Sequence, residues 1–199
     1  WAFSAAAALE SLAFKSNSVT NADYSEQQLI TCLKPNSTDA NPNNANDKHH
    51  NTYGCNGGGW MNSAFEFVRV HGITTEAVFP YGPNGTETTK ESCSNGGPFK
   101  ISGYTKVSPD CVSAAAALST RPLSVAVDAA GWANYKSGIF KKCATVINHG
   151  VLLVGVNSTA WKIKNSWGTG WGEKGFIYLD ATQGANTCGV CSYASYPVK

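Results

Sequence analysis

The order of apolar and polar positions predicts helices in the first third of the chain. From Trp1 to about Ser16 a run of Ala, Leu and Phe contains no Gly or Pro, which predicts a helix buried on most of its circumference. In YSEQQLITC, Ser25 and Gln28 stand three residues apart in the pattern of a capping box. This pattern predicts a second helix that runs towards Cys32.

A third helix is predicted within WMNSAFEFVRVHG. Met61, Ala64, Phe65 and Val68 recur at the spacing that places apolar side chains on one helix face, and Gly72 supplies the stop.

Beyond Gly82 the pattern changes to short apolar runs separated by turn residues. Five runs of strand length carry β-branched or aromatic residues: PLSVAVDA, HGVLLVGV, AWKIKNSW, GFIYLDA and SYPVK. One helix, within DCVSAAAALSTRP, interrupts them. Helices first and strands afterwards predict an α+β fold with a helical lobe over approximately residues 1–100 and a β-rich lobe over 101–199. A cleft between two such lobes is the expected ligand site.

Composition narrows the classes of function. The 199 residues are 42% hydrophobic and 14% charged, which is typical of one globular unit and argues against disorder. The net charge is only +2 and no Lys/Arg run exceeds two residues, so neither nucleic acid nor a membrane surface is an expected partner. Seven cysteines beside one methionine favour an oxidising compartment.

The segment between Cys32 and Cys55 is predicted to be a surface loop. Its 22 residues include six asparagines and two prolines and almost nothing apolar, which is typical of a tolerated polar insertion. His49 and His50 lie here near Cys55, and solvated loop residues are a better interpretation of this pair than a metal site. Asn36, Asn84 and Asn157 begin N-x-[ST] sequons, and each is a glycan site or an unmodified turn residue.

His149 and Asn165 are the candidate catalytic pair. His149 begins an apolar strand, and Asn165 follows 16 residues later where the next strand enters a Gly/Trp turn, so neighbouring antiparallel strands could bring them together. An amide that orients an imidazole is a known arrangement for a general base whose tautomer must be fixed. The alternative is a buried histidine satisfied by a local hydrogen bond. This pair lacks a nucleophile.

Five motifs in order across essentially the whole chain resemble the papain-like cysteine peptidases of the cathepsin L subgroup. They are WAFSAAAALE, SEQQLITC, GCNGG, NHGVLLVG and KNSWGTGWGEKGF. The resemblance implies a two-lobed papain-like fold. It places the nucleophilic cysteine directly before Trp1 and the oxyanion-hole glutamine further upstream, so the chain as printed is expected to be inactive by itself.

The resemblance also implies the disulfides. Cys32 would pair with Cys93 and Cys143 with Cys188, while Cys55 would pair with a cysteine that precedes Trp1. Cys111 and Cys191 then remain as a further pair. Taken alone, CGVC at 188–191 could instead be a redox or zinc motif, but it has no second matching pair.

In the mechanism that the resemblance implies, a thiolate at the N-terminus of the first helix pairs with protonated His149, which later protonates the leaving amine and activates water. Asn165 orients His149, and Trp167 shields their hydrogen bond. Core packing is the alternative role for Trp167. Asn148 helps to position water or a leaving group, or belongs to a turn.

The resemblance assigns substrate contacts position by position. Gly57 and Gly58 match the segment that binds substrate backbone, although CNGGGWM has one extra glycine, so Gly58 and Gly59 are the alternative pair. The S2 pocket, which holds the second substrate side chain before the cleaved bond, would be lined by the following residues: Trp60 or Met61, Ala126, Gly150, and Tyr193 at its floor. Tyr193 should shorten this pocket and favour Val or Leu over Arg or Phe.

The expected function is therefore that of a lysosomal, vacuolar or secreted cysteine endopeptidase. It would be a monomer without a cofactor or metal, acting on peptides and proteins and controlled by a pro-segment or protein inhibitor. A non-catalytic relative that only binds peptides is the first alternative. An exopeptidase, with the 33–54 loop narrowing one end of the cleft, is the second.

Overall fold

Four helices and seven strands follow one another along the residues described by the computed structural model, which are 1–16, 19–33, 54–55, 58–82, 93, 96–144 and 146–199. The chain divides into two units. The first comprises Trp1–Thr105 with Pro197–Lys199, and the second comprises Lys106–Tyr196.

The first unit is built on three helices, α1 (Ala2–Lys15), α2 (Glu26–Cys32) and α3 (Met61–His71). Helix α1 packs against both others. Its small side chains at Ala5 and Ala6 are fully buried, so the neighbouring elements can approach closely. Gly72 ends α3 with a φ of 80°, as its position after the apolar pattern predicts. All three helices lie where the sequence pattern places them.

Helix α2 has half of the predicted capping box. The hydroxyl of Ser25 accepts the Gln28 N–H at 2.9 Å and donates to the Phe79 carbonyl at 2.6 Å. The side chain of Gln28 does not return to the Ser25 N–H, because that N–H donates to the Thr74 carbonyl. Instead the Gln28 amide accepts the Thr74 N–H at 2.8 Å and donates to the Gly96 carbonyl at 3.2 Å. The predicted local cap thus serves as a tertiary connection.

The seven strands form one sheet in the order β1-β7-β2-β4-β5-β6-β3. Their bounds are β1 Gly103–Lys106, β2 Leu123–Val127, β3 Ile139–Phe140, β4 His149–Val156, β5 Ala160–Lys164, β6 Phe176–Asp180 and β7 Ala194–Val198. The sequence pattern predicts β2, β4, β5, β6 and β7 but not β1 or β3, which have four and two residues. Helix α4 (Cys111–Leu118) lies within the helical interruption, capped by Asp110 Oδ1, which accepts the Ser113 N–H. The α+β class is confirmed.

The core of the second unit consists of side chains that alternate along four neighbouring strands. Side chains that point into this core recur at every second residue of each strand, because successive side chains point to opposite faces of a sheet. They are Leu123, Val125 and Val127 in β2, Val151 and Leu153 in β4, Trp161 and Ile163 in β5, and Ile177 and Leu179 in β6.

Three disulfides connect described residues: two are pairs that the family resemblance implies, and the third joins the two cysteines that the resemblance left over. Cys32–Cys93 lies in the first unit, and Cys111–Cys191 and Cys143–Cys188 lie in the second. The latter two tie α4 and the segment before β4 to the 188–191 motif. The redox or zinc interpretation of that motif is wrong, because both of its cysteines are in disulfides with partners elsewhere.

The stability of the first unit depends on pH through a partly buried carboxyl, that of Glu26, at the start of α2. Burial raises the pKa of Glu26 from its ordinary 4.5 to about 7, and the negative charges of Glu10, Glu76 and Asp23 add to this effect. The folded state therefore binds a proton more tightly than the unfolded chain. The resulting stability is complete below about pH 4.5 and is lost as pH rises through about 7.

We predict that Glu26→Gln stabilises the chain at neutral to alkaline pH but not in acid, because the amide is neutral throughout. The free energy of unfolding should exceed that of the parent chain by about 1–3 kcal/mol near pH 8, and the difference should vanish near pH 4. Urea unfolding at the two pH values measures it. Asp23→Asn, at an exposed member of the same group, should change stability by less than about 0.5 kcal/mol. An equal effect of Glu26→Gln at both pH values would contradict the prediction.

Candidate active site

The antiparallel pairing of β4 and β5 brings His149 and Asn165 together. His149 is the first residue of β4, and Asn165 directly follows the last residue of β5. Because the strands run in opposite directions, both residues lie at the same end of the pair. His149 Nε2 is 2.8 Å from Asn165 Oδ1.

The neighbouring backbone determines which amide atom of Asn165 faces the imidazole. The Ser166 N–H donates to the same atom at 2.8 Å, and a donor requires an oxygen there. His149 Nε2 must then carry the hydrogen, so in the neutral ring Nδ1 holds the lone pair. The Asn165 N–H donates to the Gly175 carbonyl at 3.0 Å, which fixes the backbone of the residue as well.

Burial and hydrogen bonding act on the His149 pKa in opposite directions. Burial lowers the pKa below its ordinary 6.5 because it disfavours the charged ring, and the hydrogen bond to Asn165 raises it. Burial is the larger effect. The neutral ring, with Nδ1 available to accept a proton, is favoured.

Two tryptophans pack against the imidazole, and a third packs against both of them. The Trp167 ring stacks on His149 with centroids 5.2 Å apart, while 41% of Trp167 remains exposed. Trp132 is fully buried and meets His149 edge-on at 6.2 Å. Trp171 packs against both tryptophans, and its Nε1 donates to the Trp132 carbonyl at 3.2 Å. The cluster holds the ring and removes water from its surroundings.

Glycine at position 172 is required for the turn that carries Trp171. Gly172 has a φ of +55°, and a Cβ there would lie 2.6 Å from the Phe176 carbonyl oxygen and 3.0 Å from the Tyr135 ring. A larger residue would meet both a disfavoured backbone conformation and a backbone clash. The Gly-rich turn after Asn165 is thus a packing requirement of the site.

A second polar pair joins β2 to the start of β4. Asn148 donates its amide N–H to Asp128 Oδ1 at 3.3 Å and accepts the Ala129 N–H at 2.9 Å. The same Asp128 oxygen accepts the Ala130 N–H at 3.0 Å. These bonds fix the residue directly before His149. The Asn148 amide therefore makes contacts within a turn. A turn was one of the two roles that the sequence suggested for it.

Sequence reasoning missed Asp128 and Trp132. Asp128 is only 1% exposed, and Trp132 lies four residues later in the turn that follows β2. The segment DAAGW could have indicated them, because its acidic residue directly follows an apolar strand and its tryptophan lies before the next strand. Only the pairing of Val127 with His149 places this segment beside the histidine.

Three of the predicted substrate contacts lie together in the second unit. Ala126 in β2 pairs with Gly150 in β4, and the Ala126 N–H donates to the Tyr193 carbonyl at 3.1 Å. Ala126 and Gly150 are buried, whereas Tyr193 is exposed. An exposed tyrosine is therefore joined through its backbone carbonyl to β2, at the residue that pairs with Gly150, the position directly after His149.

The other predicted substrate contacts belong to the first unit. Met61 begins α3 and is buried, and the preceding Trp60 is extended and partly buried. Gly58 has a φ of +75°, and a Cβ there would meet no atom of the described residues within 4 Å. Gly59 is partly buried, and Gly57 lies outside the described residues.

Cys55 is exposed. His49 and His50 lie outside the described part of the chain. Where side chains are described, no three His, Cys, Asp or Glu residues gather closely enough to hold a metal ion. No described helix combines the length and hydropathy needed to cross a membrane.

We predict that Asn165 controls the His149 pKa. Asn165→Asp places a negative charge beside Nε2–H and should raise the pKa of His149 by about 1–3 units, whereas Asn165→Ala removes the acceptor and should lower it. NMR titration of the His149 ring measures both. Asn157→Asp adds the same charge beyond the far end of β4 and serves as the control. An unchanged His149 pKa in Asn165→Asp would contradict the geometry.

Known proteins are similar to this chain in sequence and in fold. The family described as papain family cysteine protease matches residues 1–198. Cathepsin L 2 of Paramecium tetraurelia is 41% identical over 202 residues, covering 100% of this chain and 56% of that relative, so the chain spans little more than half of the relative's length.

Solved structures of cysteine proteases are also similar to this chain. The Carica candamarcensis cysteine protease CMS1MS2, crystallised with E-64, superposes with a TM-score of 0.81 at 32% identity, covering 100% of this chain and 87% of that one. Digestive procathepsin L 3 of Tenebrio molitor gives 0.80 at 32% identity, covering 100% and 62%. The chain belongs to the papain family of cysteine proteases.

Proposed function

We propose that the protein containing this chain is a cysteine endopeptidase in which His149 carries protons and Asn165 positions it. The 2.8 Å contact between His149 Nε2 and Asn165 Oδ1 is the observation that carries this proposal. It leaves Nδ1 as the basic atom, which is the arrangement that a general base needs. Membership of the family supports the class of reaction.

The nucleophile in this proposal is a cysteine directly before Trp1. That position precedes the first residue of α1, Ala2, where the partial positive charge of the helix lowers a thiol pKa. The thiolate attacks the substrate carbonyl, and the C–N bond breaks as the imidazolium of His149 gives its proton to the leaving amine. His149 then takes a proton from water, whose oxygen displaces the thiolate from the acyl-enzyme.

The surroundings of the imidazole suit both steps. Asn165 holds the ring so that only Nδ1 exchanges the proton, and Trp167 stacks on the face of the ring. A thiolate beside His149 would raise the His149 pKa, opposing the effect of burial, because it adds a nearby negative charge. The two charged groups would then stabilise each other.

The compartment proposed is lysosomal, vacuolar or extracellular. Three disulfides are typical of oxidising compartments. The raised pKa of Glu26 also makes its contribution to the stability of the first unit greatest in acid. Control by a pro-segment is part of the proposal, supported by the similarity to digestive procathepsin L 3.

The first test expresses the complete coding sequence of the parent gene, including the codon before Trp1. We expect cysteine at that position, cleavage of end-blocked peptides, and covalent labelling by E-64. His149→Ala should lower kcat/KM by about a thousandfold or more. His71→Ala, at the end of α3, is the matched histidine control and should retain activity.

Three results would contradict the proposal. A residue other than cysteine before Trp1 would favour the non-catalytic peptide-binding alternative, which peptide-binding measurements would then test. Full activity in His149→Ala would exclude the proposed base. Faster cleavage of free-ended than of end-blocked peptides would favour the exopeptidase alternative.

We also predict a preference for Val or Leu at the second substrate position before the cleaved bond. Tyr193 lies beside Ala126 and Gly150, where its ring would shorten a pocket formed by these residues. A substrate panel should therefore show higher kcat/KM for Val or Leu than for Arg or Phe. Tyr193→Ala should raise the relative rate for Phe, and Phe14→Ala, which removes an exposed ring in α1, should not. Arg or Phe as the fastest residue in the parent protein would refute the assignment.

A further inference from the structure

The hairpin that joins β4 to β5 presents a modification motif at its tip. Asn157, Ser158 and Thr159 form an N-x-T sequon between Val156, the last residue of β4, and Ala160, the first of β5. All three sequon residues are exposed. The other two sequons begin at Asn36 and Asn84, outside the described residues.

The side chain of Asn157 uses its oxygen to build the turn. Oδ1 accepts the Thr159 N–H at 2.9 Å, the Thr159 hydroxyl at 2.9 Å and the Ala160 N–H at 2.8 Å. None of these three hydrogen bonds uses Nδ2. An N-linked sugar attaches at Nδ2 and leaves the carbonyl oxygen in place, so the folded turn can keep all three bonds when the residue is modified.

We propose that Asn157 carries an N-linked glycan. The donor is an oligosaccharide joined to a polyprenyl diphosphate, and the host transferase supplies the catalysis. Nδ2 forms a bond to the anomeric carbon of the first sugar and loses one proton, while the bond from that carbon to phosphate breaks and polyprenyl diphosphate leaves. No oxidant or reductant is needed.

Two features of the hairpin make it compatible with a large substituent. Val156 beside the sequon is 39% exposed, so the first sugar would cover an apolar side chain that otherwise faces water. The tip also lies at the opposite end of β4 from His149. At the usual rise of a strand, the eight residues of β4 separate them by roughly 25 Å. The glycan therefore leaves His149 uncovered.

The test follows the modification at the level of one peptide. The full parent coding sequence is expressed in a eukaryotic secretory host, and the reduced protein is treated with peptide N-glycosidase in water labelled with heavy oxygen. The tryptic peptide 143–162 contains Asn157 as its only sequon asparagine. We expect labelled aspartate at position 157 by mass spectrometry. An unmodified 157 peptide, while another glycoprotein of the same cells is modified, would overturn the proposal.

Paired variants separate the modification from folding and from catalysis. Thr159→Ala destroys the sequon and should abolish labelling, whereas Ser158→Ala keeps it and should be labelled like the parent. Labelling that persists in Thr159→Ala would also overturn the proposal. The proposal rests on the compartment proposed above, but neither readout depends on peptidase activity, so the outcome is independent of the proposed reaction.

Discussion

The hydrogen bond from His149 Nε2 to Asn165 Oδ1 is the interaction on which the chemistry of this chain depends. It exists because two antiparallel neighbours, β4 and β5, place the start of one beside the end of the other. The Ser166 N–H completes it by occupying the same oxygen, which excludes the flipped amide. A backbone donor thus determines which nitrogen of His149 carries the hydrogen in the neutral ring.

The rest of the second unit keeps this geometry rigid. Trp132 and Trp167 enclose the ring, and the Asp128–Asn148 pair fixes the residue before it. The alternating core beneath the strands sets the register that brings these segments together. The burial that results also lowers the His149 pKa, which favours the neutral ring.

Much of this was predictable from local patterns, and the remainder was not, for identifiable reasons. Helices α1, α2 and α3 follow from apolar spacing, Ser25 and Gly72, and the longer strands from their apolar runs. The short strand β3 carries too little pattern to be recognised. The Gln28 amide was assigned to a local cap, and the Asp128–Asn148 pair was not predicted. In both cases the hydrogen bonds join segments that are distant in sequence. His149 and Asn165 were identified because both lie in distinctive motifs, while Trp132 lies in none.

The tautomer of His149 is the most direct test of the account. Long-range proton–nitrogen NMR spectra of the ring, recorded well above the His149 pKa, distinguish the protonated nitrogen from the bare one. The structure predicts that Nε2 carries the hydrogen and Nδ1 the lone pair. The Asn157→Asp variant should show the same single tautomer, whereas Asn165→Ala should show a mixture of the two tautomers. Hydrogen on Nδ1 in the unmodified chain would contradict the assignment of Asn165 as the acceptor, and with it the proposed general base.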